Sequence, residues 1–205
     1  SLKRIELSYN EHFNAIRDAN DDDFIMLSDN DEIPNLNSED FKKNKNDIVI
    51  FNQLFFYFKF NLLYDRMLWP GTKGCRKKNL KSFSWLRNIK FKKYPIWRID
   101  TYFSNTKYSN LNIINDGGWH FTNLKSPEDM FEKFMNFGHH DEFKLSGITV
   151  DKIRDKISKR EMFYDHFADK SSKNKWDSDY KLKKIDTNLL PRYLASNREK
   201  YLEWF

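Results

Sequence analysis

The stretch FIMLSDNDEIP, residues 24–34, decides how the chain is interpreted, because an apolar run ends there in a turn with three carboxylates. The run Phe24–Leu27 predicts a buried strand. Alternate residues of an extended chain point to opposite faces, so Asp29 and Asp31 can share a face and converge on one ion. Hard carboxylate oxygens favour Mg²⁺ or Mn²⁺, and such an ion could bind a substrate diphosphate. The alternative interpretation is an acidic surface turn without a ligand.

A second cluster, DGGWHF at residues 116–121, adds a possible metal ligand. Its two glycines permit backbone conformations and close approaches that other residues cannot adopt. They are followed by an aromatic side chain, Trp119, and by His120, whose imidazole could bind a metal. A single histidine also serves many structural purposes, so this cluster alone leaves both interpretations open.

In chain order, these and further segments resemble glycosyltransferase family 17. SDNDEIPN, residues 28–35, is similar to the family's acidic motif, and FFYFKFNLLYDRMLWPGTKG, residues 55–74, to its aromatic stretch and Trp-x-Gly turn. DGGWHF resembles the Gly-Trp-His motif. His139–Phe143 resembles the Ser-His-x-Glu element of bacterial members, with His139 in place of the serine, and Leu190–Leu194 with Asn197 resembles the closing LPxYL…N segment. The resemblance covers about residues 8–205.

The resemblance implies an inverting transfer of a sugar, with N-acetylglucosamine from UDP-N-acetylglucosamine as the expected case, to a hydroxyl of a glycan or glycoconjugate. It also implies a GT-A-like α/β fold, in which helices flank a mixed sheet. Asp29, Asp31 and His120 would hold Mn²⁺ or Mg²⁺, and Asp29 would also contact the donor. Family members usually carry a long portion before the acidic motif, whereas 27 residues precede Ser28 here, so the expected fold is truncated at its amino terminus.

An inverting transfer needs a base that takes the acceptor's proton. Asp116 is the first candidate, with Glu142 and His140 as competitors. Asp116 could instead stabilise its turn, and the other two could fix local packing or bind acceptor hydroxyls. Trp119 could stack on a sugar face or belong to the core.

Positive charge is concentrated between Arg66 and Ile99, where eleven Lys or Arg residues occur without any Asp or Glu, in a chain of net charge +6. Aromatic residues interleave with these cations, a pattern that could bind nucleic acid, a nucleotide-sugar diphosphate, an anionic glycan or a membrane-linked acceptor. A solvated basic face is the plain alternative. Arg87 is the preferred binding residue, because its planar guanidinium can grip a phosphate through two hydrogen bonds.

Composition predicts one domain over residues 1–205, with an aromatic-rich core. The single Cys75 excludes an internal disulfide, and no apolar run approaches the roughly 20 residues that span a bilayer. No signal peptide is visible, so a cytoplasmic location is expected, with peripheral membrane attachment as its variant.

The periodicity of the sequence predicts further helices and strands. The expected helices are residues 9–19, a helix that begins at Ser126-Pro127, Val150–Lys159 and Pro191 to about Leu202, and the expected strands are Ile48–Phe60, Ile96–Tyr102 and Asn112–Ile114. Residues 170–179 are polar and predict a loop.

Three other classes of function remain open. A non-catalytic carbohydrate-binding or scaffold relative would keep the fold without binding metal and donor. A nucleic-acid-binding module would use the basic block alone and would bind with a steep salt dependence, although nucleic acid is the less favoured partner. A hydrolase would use the acidic cluster to release free sugar.

Overall fold

The structure is a computed structural model that describes residues 11–136, 140–167, 173–176 and 178–205, without the side chains of residues 173 and 174. It is a mixed α/β protein whose chain divides into two compact units. Unit 1 comprises residues up to Gln53 together with Leu68–His120, and unit 2 comprises Leu54–Met67 and Phe121–Phe205. Strands β3, Ile48–Tyr57, and β7, Gly118–Thr122, run from one unit into the other. The expectation of one domain over the whole chain stays a prediction.

Unit 1 is built on a mixed sheet. Its remaining strands are β1 (Phe24–Leu27), β2 (Glu32–Pro34), β5 (Trp69–Arg76) and β6 (Leu111–Ile114). Strand β5 pairs antiparallel with both β1 and β3, and β6 pairs parallel with β3. Strand β2 pairs antiparallel with β7. The helical segments of this unit are residues 11–15 (the described part of α1), α2 (Glu39–Lys42), α3 (Phe83–Asn88) and the 3-10 helices Lys77–Asn79 and Ile99–Thr101.

Strand β3 is buried on both faces of the sheet, which explains the apolar run Ile48–Phe51 in its first half. Ile48 and Ile50 belong to one core cluster, whereas Val49 and Phe51 belong to another. Because neighbouring side chains of a strand point to opposite faces, these two clusters lie on the two sides of the sheet. The thiol of Cys75 packs in the first cluster, and burial raises its pKa to about 12.

Unit 2 is mainly helical. Its helices are α4 (Pro127–Asn136), α5 (His140–Ser146), α6 (Val150–Lys159), α7 (Arg192–Ser196) and the 3-10 helices Lys173–Trp176, Thr187–Leu189 and Arg198–Trp204. Two short strands, β4 (Leu62–Leu63) and β8 (Lys183–Lys184), pair antiparallel, and β4 also pairs with the end of β3. Helix α4 packs against α5 and α6. Aromatic rings fill the core of this unit, with Phe134 5.2 Å from Phe143 and 5.4 Å from Phe163 between centroids.

Several local predictions are confirmed. The strand at Phe24–Leu27 and the helix at Val150–Lys159 have the expected bounds, although only Ile25 of the strand is fully buried. The strand predicted at residues 112–114 is β6. The hydroxyl of Ser126 accepts a hydrogen bond from the amide of Asp129 at the start of α4, as its capping position predicts.

Other predictions are wrong in part or in full. Residues 96–102 do not form a strand. The amides of Thr101 and Tyr102 bond to carbonyls three residues back, and Ile99–Thr101 form a 3-10 helix. The long strand ends at Tyr57 rather than at residue 60, since Phe58 adopts a positive φ of 66°. Helix α7 ends at Ser196, and a kinked 3-10 segment follows it.

Two expectations lie partly outside the described residues. Residues 11–15 of the helix expected at 9–19 are helical, and residues 16–18 form a turn. Of the loop expected at 170–179, residues 173–176 form a 3-10 helix, and residues 170–172 and 177 lie outside the described part of the chain, as does His139. Among the described helices, none has the length and apolar character that a membrane crossing requires.

Candidate functional site

The pairing of β2 with β7 in unit 1 brings the acidic segment and the Gly-Trp-His segment together. Glu32 lies opposite His120, and Pro34 lies opposite Gly118, in an antiparallel register. The two segments are far apart in the sequence and become neighbours only through this pairing. The side chains around them form the candidate site.

The glycine pair is required by the packing of strands. A Cβ atom on Gly117 would lie 2.4 Å from the amide nitrogen of Asn52 in β3, and one on Gly118 would lie 2.1 Å from the carbonyl oxygen of Ile33 in β2. Gly118 also adopts a φ of +108°, which side chains disfavour. The glycines therefore allow β7 to approach its neighbours, and this structural role accounts for them.

His120 is held between an aromatic ring and a carboxylate. Its imidazole stacks on the indole of Trp69, with centroids 4.6 Å apart and an interplanar angle of 10°. The Nδ1 atom lies 3.6 Å from a carboxylate oxygen of Asp31 and is shielded from solvent. The His120 residue is only 5% exposed, and 3.6 Å is longer than a hydrogen bond, so the contact with Asp31 is electrostatic and the ring is too enclosed to reach an exposed ion directly.

Asp29 and Arg87, which were predicted to hold a metal and to bind a phosphate, bind each other. The two guanidinium nitrogens of Arg87 donate to the two carboxylate oxygens of Asp29 at 2.6 and 3.0 Å. Both side chains are partly exposed. The carboxylates of Asp29 and Asp31 therefore face different partners, Arg87 and His120.

Glu32, the third carboxylate of the turn, is the most enclosed of the three. It accepts hydrogen bonds from Trp69 Nε1 at 2.9 Å and from the amide of Asp29 at 3.2 Å. Burial raises the pKa of this carboxyl above its ordinary value, although the bond from Trp69 works in the opposite direction. Glu32 thus fixes the turn that presents Asp29 and Asp31.

A groove of about 160 Å³ opens beside this turn. Its lining combines both charges: Leu27, Asp29, Glu32, Trp69, Pro70, Gly71, Lys73 and Arg87. Lys73 donates to the carbonyl of Ile89 at 2.7 Å and to that of Arg87. Burial and the nearby guanidinium lower the pKa of Lys73 to about 8, so its charge is lost within a mildly alkaline range.

Sequence reasoning named none of Glu32, Trp69 and Lys73 as a site residue, although Trp69 and Lys73 belong to the basic, aromatic-rich block that was considered for anion binding. A period of two along β5 could not have indicated the last two, because the register of β5 with β3 shifts between the Lys73–Ile50 and Pro70–Asn52 pairs. Trp69, Gly71 and Lys73 nevertheless line one groove, and Gly71 keeps room there, since a Cβ atom on it would lie 2.0 Å from the side-chain oxygen of buried Gln53. The contribution of Glu32 depends on its partners across the sheet and has no local signal.

Two further predicted residues lie in the same unit. Asp116, on the turn between β6 and β7, is exposed and accepts a hydrogen bond from Asn35 at 2.8 Å. Trp119 is partly buried and lies opposite Ile33 in the β2–β7 register. The bond from Asn35 supports the turn-stabilising role of Asp116, and its role as a base stays a prediction.

Glu142 and His140 lie in unit 2, at the start of α5. Glu142 forms an ion pair with Lys175, whose residue is only 7% exposed, and both line a cavity of about 310 Å³. His140 Nε2 lies 3.2 Å from a carboxylate oxygen of the adjacent Asp141 and does not line this cavity.

The same cavity contains a histidine that sequence reasoning did not consider. Nε2 of His166 and the hydroxyl of Tyr57 are 2.6 Å apart and share a hydrogen bond. Burial lowers the pKa of His166 to about 4, so the ring is neutral at physiological pH. Unit 2 therefore contains an aromatic-walled cavity whose lining includes an ion pair and a neutral histidine.

The acidic turn offers at most two carboxylates, Asp31 and Asp29, to a metal ion, so its other ligands would have to come from elsewhere. Within the described residues, no three side chains of His, Cys, Asp or Glu are grouped closely enough to enclose an ion. Mg²⁺ in diphosphate sites is commonly held by one or two carboxylates together with phosphate oxygens and water, so a full protein cage is not needed. Asp31, partly exposed, is the side chain that best meets this description, and Asp29 would have to exchange Arg87 for the ion.

Comparison with known proteins does not assign the chain to a family. No protein-family model, no curated protein and no solved structure matches it.

Proposed function

We propose that the protein is a metal-dependent inverting glycosyltransferase with a GT-A-like fold, of the kind found in glycosyltransferase family 17. It would transfer a sugar, N-acetylglucosamine as the expected case, from a nucleotide-diphosphate donor to a glycan hydroxyl. The observation that carries the proposal is the pairing of Glu32 with His120, which sets the carboxylate of Asp31 3.6 Å from the imidazole. Two motifs that resemble separate parts of one active site thus meet at one sheet edge.

Residues of the acidic turn, of β7 and of the adjacent groove would together bind the donor. Asp31, joined by Asp29, would hold Mn²⁺ or Mg²⁺, and His120 would orient Asp31. When bound, the ion neutralises charge that develops on the departing diphosphate. Arg87 and Lys73 supply further positive charge in the groove, and Arg87 can turn from Asp29 to a phosphate because both groups accept its paired N–H donors.

The acceptor requires a base and a binding surface. Asp116 is the proposed base, because it lies on the turn that leads into β7 and is exposed. Trp119 would stack on a sugar ring in the same unit. Glu142 stays the alternative base and His140 an acceptor-binding residue, each with the structural partner described above.

A non-catalytic carbohydrate-binding relative is the second candidate, and one observation favours it. The carboxylate of Asp29 is already satisfied by two hydrogen bonds from Arg87. A site that had lost catalysis could keep such a closed ion pair in place of a metal. This candidate predicts binding of glycans without binding of nucleotide sugars.

Calorimetric titration of the chain with UDP-N-acetylglucosamine, with and without Mn²⁺, distinguishes the two candidates. The transferase proposal expects binding that requires the metal, and a panel of other nucleotide sugars would identify the preferred donor. Absence of binding to every donor would overturn it, and glycan binding under those conditions would establish the second candidate.

The Asp31→Asn variant makes this experiment specific to the site. It removes a charge at nearly constant volume, so the fold is expected to remain while metal-dependent binding falls by about a hundredfold or more, the scale of a lost charged ligand. Asp155→Asn, in an exposed ion pair of α6, is the matched control and should bind the donor like the parent chain. Equal metal-dependent affinity in the Asp31→Asn variant would contradict the assignment.

A further inference from the structure

The segment of residues 91–103 in unit 1, here named the aromatic loop, exposes large apolar side chains to solvent. Ile96, Trp97, Ile99, Tyr102 and Phe103 are 69–86% exposed. Across the described residues, six large apolar side chains are more than two thirds exposed, and these are five of them. Contiguous exposed apolar side chains commonly mark a surface that meets a partner or a membrane.

The backbone of the aromatic loop is held in place, so the exposure does not result from a loose chain. Tyr94, at its start, is buried, and its amide donates to the carbonyl of Tyr108. The hydroxyl of Thr101, which is 9% exposed, donates to the carbonyl of Arg98 at 2.7 Å. These bonds fix the turns from which the apolar side chains project.

Cations surround the exposed apolar side chains. The aromatic loop contains three basic residues, Lys92, Lys93 and Arg98, against the single acid Asp100, which leaves a net charge of +2, and a fourth basic residue, Lys90, adjoins it. All four basic residues are exposed, and the carboxylate of Asp100 is engaged by Arg98 at 2.5 Å and by Lys107 at 2.8 Å. The loop therefore presents positive charge together with apolar side chains.

From this combination we infer that the aromatic loop docks the protein on an anionic lipid surface. Trp and Tyr favour the headgroup region because each has an apolar ring and a polar tip, and aliphatic and Phe side chains enter the acyl boundary below it. Each exposed Lys or Arg strengthens attraction to acidic headgroups. Nucleic acid is a weaker fit, because Ile96 and Ile99 have no aromatic face on which a base could stack.

The inference does not rest on the proposed transferase activity. The aromatic loop lines neither the donor groove nor the acidic turn, and the side chains that carry the inference are surface residues. Loss of membrane docking and loss of donor binding can therefore be measured separately in the same variants.

Co-sedimentation with lipid vesicles tests the inference. The chain is expected to partition onto phosphatidylcholine vesicles that contain about 30% phosphatidylserine, and to partition about tenfold or more weakly onto phosphatidylcholine alone, since each nearby cation adds about fivefold on an anionic surface. Raising the salt concentration should weaken binding without abolishing it, because the apolar insertion does not depend on charge.

The double variant Trp97→Ser/Phe103→Ser is expected to lose about tenfold or more in partitioning to the anionic vesicles, because two inserted aromatic rings are removed. Leu145→Ser is the matched control: Leu145 is 89% exposed on α5, outside the loop, and its removal should change nothing. Both changes affect exposed side chains, and an unchanged circular dichroism spectrum verifies the fold.

Failure of the parent chain to bind anionic vesicles, or equal binding by the double variant, would overturn the inference. Loop-dependent binding to a single-stranded oligonucleotide without vesicle binding would overturn it as well.

Discussion

Arg87 grips Asp29 through two hydrogen bonds of 2.6 and 3.0 Å, so the residue best suited to bind phosphate is paired with a carboxylate of the acidic turn. A guanidinium can exchange a carboxylate for a phosphate at little cost in geometry, because both present paired oxygens. The pair thus couples the proposed phosphate-binding residue to a proposed metal ligand, because a phosphate that binds Arg87 also frees the carboxylate of Asp29.

Replacing Arg87 with alanine should weaken binding of UDP-N-acetylglucosamine in the presence of Mn²⁺ by about tenfold to a hundredfold, the range expected for a lost charged hydrogen bond. Thermal stability should change little, since a partly exposed ion pair contributes about 1 kcal/mol or less. Titration calorimetry and thermal unfolding measure the two effects.

Arg154→Ala provides the control for this change, because Arg154 also pairs with carboxylates on an exposed surface, in unit 2. We expect it to keep full donor affinity. A similar loss of affinity in both variants would attribute the effect to general charge rather than to the groove.

The raised pKa of Glu32 gives a prediction for stability. Between its ordinary value of 4.5 and its higher pKa in the folded state, the folded chain binds more protons than the unfolded chain, so the contribution of this residue to stability falls as pH rises. Glu32→Gln removes the charge and keeps one acceptor oxygen, which can serve Trp69 or the amide of Asp29 but not both as the carboxylate does. The melting temperature of the parent relative to this variant should therefore fall as pH rises from 4.5 towards 7.

The pH dependence provides the test of this prediction. Well below pH 4.5 the carboxyl is protonated in both states, so the difference between Glu32→Gln and the parent should stop changing there. Thermal unfolding of both chains from about pH 3.5 to about pH 8, a range set by the pKa shift, measures the difference. A difference that stays constant with pH would show that the buried charge is not its origin.

Lys73 predicts a pH dependence of donor binding. Its pKa of about 8 means that the amine is charged at pH 7 and largely neutral at pH 9, and only the charged form attracts a diphosphate. Affinity for UDP-N-acetylglucosamine should therefore fall as pH rises through 8. Titrations of the parent chain across this range should show the decline.

Lys73→Met should bind the donor more weakly at neutral pH and lack the decline, because its side chain has no charge to lose. Lys78→Met, a change at an exposed lysine of the same basic block, should retain the parent's profile. If the decline persists in Lys73→Met, another group in the groove controls it.

Local signals in the sequence predicted the parts of the fold that depend on neighbours in the chain. Ser126 determines where α4 begins, and the four-residue spacing of Ile153 and Ile157 determines which face of α6 is apolar. Both signals act within one or two helical turns. The segment at residues 96–102 has the β-branched and aromatic composition of a strand, yet it forms turns with exposed side chains, because strand propensity expresses packing on a sheet rather than a preference of the backbone.

The sequence predicted which residue types belong to the candidate site, but not which of these side chains contact each other. Asp31 and His120 were named from their chemistry, but their proximity depends on the register of β2 with β7, which no local pattern encodes. In the same way, the pairing of Arg87 with Asp29 follows from the packing of α3 near β1, and composition could not distinguish a phosphate ligand from an ion-pair partner.

Among the described residues, two glycines have a positive φ, and they differ in how closely their surroundings pack. Gly147 adopts a φ of +66°, and a Cβ atom there would have no neighbour within 4 Å, whereas Gly118 adopts +108° and a Cβ there would lie 2.1 Å from the carbonyl oxygen of Ile33. Gly147→Ala should therefore lower the free energy of unfolding by only about 1–2 kcal/mol, the cost of a left-handed conformation for alanine.

Gly118→Ala adds a backbone clash to that strain and should cost clearly more, because β7 must move away from β2 to admit the methyl group. Chemical denaturation of the two variants and the parent measures the difference directly. The separation of the strands would also move His120 away from Asp31, so any folded Gly118→Ala chain should lose metal-dependent donor binding while Gly147→Ala retains it. Equal stability of the two variants would mean that β7 does not pack on β2 as closely as this register requires.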